Sequence, residues 1–288
     1  MTEEQFDLMV VGGGTGRDVV LAAREQGLRV VLVERGPFGG TCHNRGCMPS
    51  KMLIHSADIA EAVRDGRRFG ITAKVESVDL PSIVHNVFEE LDAETREREE
   101  DLLRGGNVEF VRAEGRFVGP KTMEVDGRRI SADRVVIAGG TRPAVPPIKG
   151  RDDVPYLTSD EALHVSELPR RLAILGGGYI AVELGHFFGA LGDEVTIIEM
   201  ESRLISREDS EIGELFTQQF SRKHNVMVSG AVESLERRDG MVAIGVQGSP
   251  QPVIADQLLI ATGRRPNSDI LDVTGNRGRA RPDRLHQR

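Results

Sequence analysis

Cys42 and Cys47 stand five positions apart and are the only cysteines in the 288-residue chain. A pair so close can cycle between dithiol and disulfide, bind a metal, or have no chemical role. Two thiolates without a second Cys/His pair make a poor structural zinc site, so no metal is expected. Met1 to Phe6 is acidic and polar, without a signal-peptide pattern, so a cytoplasmic location is expected. There a structural disulfide is not easily kept.

A second kind of chemistry lies in two glycine turns. Gly12-Gly13-Gly14-Thr15-Gly16 follows an apolar run and opens a helical pattern, and Glu34 sits 20 residues beyond Gly14. This spacing fits a dinucleotide fingerprint: backbone approaches a pyrophosphate at a helix N-terminus, and the acid accepts from a ribose diol. The third small position is Arg17, which puts close helix–strand packing there in doubt. In the second copy Gly176, Gly178 and Ala181 fill all three small positions, and Glu199 lies 21 residues beyond Gly178. A carboxylate there repels a 2′-phosphate, so NAD(H) is expected over NADP(H), with nearby Arg203 arguing the other way. Two such sites in one chain suggest electron transfer between FAD and NAD(P).

Each turn needs a strand before it and a helix after it. Residues 6–11 read as a buried strand, Val19, Val20, Ala22 and Ala23 as one helix face, and 29–33 as the next strand. Residues 51–64 and 82–104 read as helices, the second with an acidic, solvated face. Short strands are expected at 108–111, 116–118, 122–125 and 135–138. The unit then repeats: strand 172–175, helix 179–191, strand 194–198. The proline-rich stretch 142–147 marks a boundary near 150.

Composition agrees with a globular α/β protein of about two domains. The apolar set is 39%, charged residues are 28%, and no run approaches the ~18 apolar residues of a membrane span. The net charge of −8, the absence of Trp and only two Tyr argue against nucleic acid as a partner. Residues 275–288 differ from the rest, with five arginines to one aspartate, and read as disordered or as foreign to the fold.

Gly39-Gly40-Thr41-Cys42-His43-Asn44-Arg45-Gly46-Cys47-Met48-Pro49-Ser50-Lys51 resembles the redox-active signature of the pyridine nucleotide-disulfide oxidoreductases. That family includes dihydrolipoamide dehydrogenase and mycothione, glutathione and mercuric reductases. The resemblance extends over most of residues 5–272, including the stretches 138–143, 176–183 and 261–267. It implies two Rossmann-like domains: an FAD-binding domain over 1–150, rejoined by 266–274, and an NAD(P)-binding domain over 151–265. It implies that Cys42 attacks substrate, that Cys47 faces the flavin, that Lys51 pairs with Glu183 near the flavin, and that Tyr179 covers the nicotinamide pocket. Further cofactor contacts are implied at Gly16, Gly40, Thr41, Gly140 and Gly263. Position 43 is normally apolar. His43 is expected to be a solvent-exposed substitution, the alternative being that its charge acidifies Cys42. The other six histidines are assigned no role.

The resemblance stops near Gly275. The family's C-terminal interface domain, with its dimer contacts and catalytic histidine, is absent, so a truncated or frame-shifted chain is the expectation. Function reads as a disulfide oxidoreductase moving electrons between NAD(H), FAD, the cysteine pair and a small dithiol or disulfide. Dihydrolipoamide is favoured as substrate. Mycothione or another small disulfide is one alternative, and a nucleotide-binding remnant without turnover is the other.

Overall fold

A computed structural model describes residues 3–273; the arginine-rich stretch 275–288 lies outside the described residues. The chain forms two compact units. Among the described residues, one comprises those up to Asn44, Glu90–Arg142 and those from Arg265; the other comprises Arg45–Glu89 and Pro143–Arg264.

The strands of the first unit are β1 (Glu3–Val11), β2 (Val30–Val33), β3 (Val108–Val111), β4 (Gly115–Gly119), β5 (Thr122–Val125) and β6 (Arg128–Ile137). They form one sheet in the order β3-β2-β1-β6-β5-β4. The first four are parallel, and β5 and β4 extend the sheet as antiparallel strands. The inner strand β2 is buried along its whole length and reads as an unbroken apolar run. Met9, Val11, Val31 and Val33 pack on one face, and Leu8, Val10, Val30 and Leu32 on the other. Strand β6 is longer than the sequence suggests. Its charges hide the alternation: Ile130 and Ala132 are buried, while Arg128 pairs with Glu4 and Glu109, each at 2.6 Å. Leu271 joins the core of this sheet.

The helices, in chain order, are α1 (Gly16–Glu25), α2 (Gly40–Arg45), α3 (Cys47–Asp65), α4 (Leu80–Leu103), α5 (Ser159–Ala162), α6 (Tyr179–Leu191) and α7 (Ser210–Phe220). α2 was not foreseen, because six residues are too few for helical periodicity to register. None of the described helices is long and apolar enough to cross a membrane.

The second unit is built on a four-stranded parallel sheet. From one edge it runs Asn225–Met227, Glu194–Ile198, Arg171–Leu175, Gln257–Ile260. This repeats the order of the four parallel strands in the first unit. A three-stranded antiparallel sheet, Val232–Arg238, Met241–Val246 and Val253–Ala255, completes the core beside it.

Candidate active site

Each unit makes the same turn from the same parts. After β1, Gly12 adopts φ +106°, and a Cβ there would collide with the Ala138 carbonyl. Its N–H bonds to Val33 O (2.8 Å). At the end of β2 the Glu34 carboxylate accepts from Gly13 N–H (2.8 Å) and Gly36 N–H (2.7 Å). In the second unit Gly176 has φ +104°, and its Cβ would lie 2.5 Å from Ala261 O. Gly176 N–H bonds to Ile198 O (2.9 Å), and Glu199 accepts from Gly177 N–H and from Glu201 N–H, the latter at 2.8 Å. Both acids are thus fixed at the tip of the second strand, beside the glycine turn.

No side chain caps α1 at Thr15 or α6 at Gly178, so their first N–H groups remain open to an anion. A Cβ on Gly178 would meet nothing within 4 Å, which leaves room for a phosphate to approach. In the first unit a shallow, open cleft runs past Gly12, Glu34, Arg35, Gly139 and Asn267. These features fit an adenine dinucleotide in each unit.

The doubt raised by Arg17 is corrected here. Gly16, one residue earlier, makes the close helix–strand contact: a Cβ there would lie 2.8 Å from Val10 Cγ1. Arg17 points toward Asp101 instead, 3.7 Å away. Ala181 is fully buried and serves the second unit. Arg203, which argued for a 2′-phosphate, packs over Gly213 of α7 and donates to Ser206 O (3.3 Å).

The cysteine loop is planted on the first turn. Gly39 N–H bonds to Gly13 O (3.1 Å), and a Cβ on Gly40 would lie 2.5 Å from Gly14 Cα. Gly40 opens α2, which carries Thr41 and Cys42. Thr41 Oγ1 lies beside Gly140, whose φ is +65°. The Asn44 side chain ties α2 down through Pro37 O (3.2 Å), Phe38 O (3.0 Å) and Gly40 O (3.0 Å). Cys42 and Cys47 are both exposed, and Cys47 is the first residue of α3. Among the described residues no group of three or more His, Cys, Asp or Glu could hold a metal ion.

His43 is not exposed, contrary to expectation. It is 3% accessible, and its ring bonds to Leu91 O and to the Arg98 guanidinium. An imidazole accepting from a guanidinium is neutral, so the charge suggested to act on Cys42 is absent.

In the second unit α3 packs on α6. Lys51 Nζ lies 2.8 Å from Glu183 Oε1, and Ser50 Oγ donates to Glu183 Oε2 (3.2 Å). Ser50 was not singled out beforehand, although it sits inside the Pro-Ser-Lys motif. Lys51 is 60% exposed, so the pair adds little stability and serves to orient both groups. Tyr179 lies one helical turn before Glu183 and is half exposed. Its hydroxyl donates to Glu208, and that carboxylate holds the phenol above its ordinary pKa range. Gly263 takes φ +129° and accepts from Ala144 N–H (2.9 Å). In the first unit Asn267 secures the 139–140 turn, donating from its side chain to Gly139 O (2.8 Å) and from its backbone to Gly140 O (3.0 Å).

Among known proteins, the chain is 34% identical over 278 residues to a mercuric reductase of Lysinibacillus sphaericus, covering 95% of this chain and 51% of that protein. It is 36% identical over 278 residues to a mycothione reductase of Mycobacterium tuberculosis, covering 93% and 60% respectively. Its fold matches the HOCl-induced flavoprotein disulfide reductase RclA of Escherichia coli with a TM-score of 0.82 and 27% identity, over 94% of this chain and 59% of that one. The chain thus spans about half to three fifths of the length of these relatives. Residues 6–284 match the family described as pyridine nucleotide-disulphide oxidoreductase. With two dinucleotide turns and a cysteine loop set on the first of them, the chain belongs to that family, whose members are FAD-dependent and use a pyridine nucleotide.

Proposed function

We propose that the chain carries the nucleotide sites and the redox thiols of a reductase that passes two electrons from NADH to a small disulfide. The observation that carries this reading is the seating of the Gly39–Gly40 pair on the Gly13–Gly14 backbone, which ties the thiol loop to the first nucleotide turn.

In this reading the Gly12–Gly14 turn and the open end of α1 take the FAD pyrophosphate, and Glu34 takes the ribose diol. A flavin so held supplies two-electron relay chemistry between a nicotinamide and the thiols. Gly176, Gly178 and Glu199 do the same binding work for NADH. The Glu199 carboxylate, with Arg203 directed elsewhere, supports NADH over NADPH. Tyr179 screens the nicotinamide pocket, and Lys51 is held by Glu183 beside the reaction.

Cys42 as thiolate attacks one sulfur of the substrate disulfide. A Cys42–sulfur bond forms, the substrate S–S bond breaks, and the first thiol leaves with a proton. Cys47 then attacks Cys42, closes the Cys42–Cys47 disulfide and releases the second thiol. The substrate gains two electrons and two protons, and the protein dithiol loses them.

Mycothione, the substrate in the name of a 36%-identical relative, is the first candidate. None of the relatives named above is a dihydrolipoamide dehydrogenase, so that substrate has less support than its first place in the sequence reading. A second reading, reduction of mercuric ion, is favoured by the mercuric reductase relatives and by the affinity of a soft thiolate pair for soft metals. The cytoplasm, where such thiols stay reduced, suits either.

The test is the visible spectrum of the full chain reconstituted with FAD. A long-wavelength band should rise on adding NADH and be lost in Cys47→Ser, while Cys42→Ser should keep the band and lose disulfide turnover by at least ~10³-fold. A colourless protein that still binds NADH would defeat the reading and leave a nucleotide-binding remnant.

A further inference from the structure

The helix that bears Cys42 has little to hold it by itself. It is six residues long, and an isolated helix of that length is not stable in water. Asn44 fastens it to the loop before it, but those bonds are local. His43, the neighbour of Cys42, ties α2 to α4. The imidazole fills a slot left by Gly39: a Cβ on Gly39 would lie 3.0 Å from His43 Cδ2 and 3.1 Å from its Cβ. Nε2 faces Leu91 O at 3.1 Å, and Nδ1 faces an Arg98 N–H at 3.3 Å.

Those two partners fix the ring. A carbonyl accepts only, so Nε2 must carry the proton; a guanidinium donates only, so Nδ1 must be bare. Arg98 is itself held by Glu94 Oε2 at 2.8 Å, one turn earlier. Leu91, Glu94 and Arg98 recur at helical spacing and lie along one side of α4. The neutral ring is therefore read at both nitrogens by α4, and it has one seat.

We propose that His43 is a positioning residue for the interchange thiol: clamped between Leu91 O and Arg98, it fixes α2 and, with it, Cys42. This rests on the reading of Cys42 and Cys47 as the redox pair. It is a different role from the acidifying charge considered from sequence, because the ring here is neutral. A pair of thiols closes to a disulfide in proportion to how well its geometry is held in advance, so a loosened α2 lowers the effective molarity of the pair.

The experiment is thiol–disulfide exchange of the full chain against reduced and oxidised glutathione, without flavin or nucleotide, quenched by alkylation and read by mass. His43→Leu fills the slot but makes neither bond; it should lower the effective molarity of the Cys42–Cys47 disulfide about tenfold, or about 30 mV in a two-electron couple. His43→Gln, whose amide can donate to Leu91 O and accept from Arg98, should recover most of that loss. Arg98→Met removes only the outer bond and should give a smaller shift in the same direction, which keeps the test open if His43→Leu fails to fold. An imidazole that merely packs would lower the urea midpoint of His43→Leu and leave the exchange constant at the parent value; that result overturns the inference. If the parent forms no Cys42–Cys47 disulfide at all, the functional reading falls first and this inference with it.

Discussion

Asp193 follows the C-terminus of α6, is 9% accessible, and has one carboxylate oxygen without a hydrogen-bond partner. Burial pushes its carboxyl up to about 7. The folded chain therefore holds this proton over a range where the unfolded chain has released it. Its contribution to stability is full below the ordinary carboxylate range, declines as pH rises toward about 7, and stays lost above that. Asp193→Asn should remove this dependence and gain about 1–2 kcal/mol at pH 8, a solvent-screened share of the burial penalty. Urea melts of both proteins at pH 5 and pH 8 would check it; an equal difference at the two pH values would refute it. The same residue scale shows where sequence reading stops. Glu34 and Glu199 were legible because a carboxylate at the end of a second strand has a fixed spacing from its glycine turn. His43 was not, because its partners Leu91 and Arg98 lie far along the chain and nothing local announces that α4 meets the loop.

At the scale of elements, the two glycines Gly16 and Gly178 do different work although both stand where a turn meets a helix. Gly16 yields space to the sheet; Gly178 leaves open space before α6. Gly16→Val should destabilise the chain by about 1–3 kcal/mol, seen as a lower urea midpoint, because Val10 cannot retreat within a packed sheet. Gly178→Ala should leave that midpoint nearly unchanged and weaken NADH binding at least tenfold in a fluorescence titration. If Gly178→Ala binds NADH as the parent does, the phosphate does not come down onto that turn. Strands 108–111 and 122–125 and helix 179–191 were legible to the residue, since short β-prone segments or helical spacing mark them. The first part of β6 was not, because Arg128 and its neighbours are charged and find partners only on other strands.

Over the whole molecule, the repeated sheet order gives each unit its own acid and its own turn, so the two sites are separable by mutation. Glu34→Gln should weaken FAD retention about 10- to 100-fold, the loss of charge-assisted bonds worth ~1.5–3 kcal/mol, and leave the NADH titration as it was. Glu199→Gln should do the reverse and narrow the preference for NADH over NADPH about tenfold. Matching losses at both sites from either substitution would contradict separable sites. The acid pair and the glycine turns were legible as a duplication. The seating of the thiol loop was not, because it depends on two backbones meeting where neither has a side chain. That contact has a consequence for protein engineering. Under the proposed function, grafting Cys42 to Cys47 alone into another dinucleotide fold should not seat the loop: the transplant must bring Gly40, and the host must offer bare backbone at the place of Gly14.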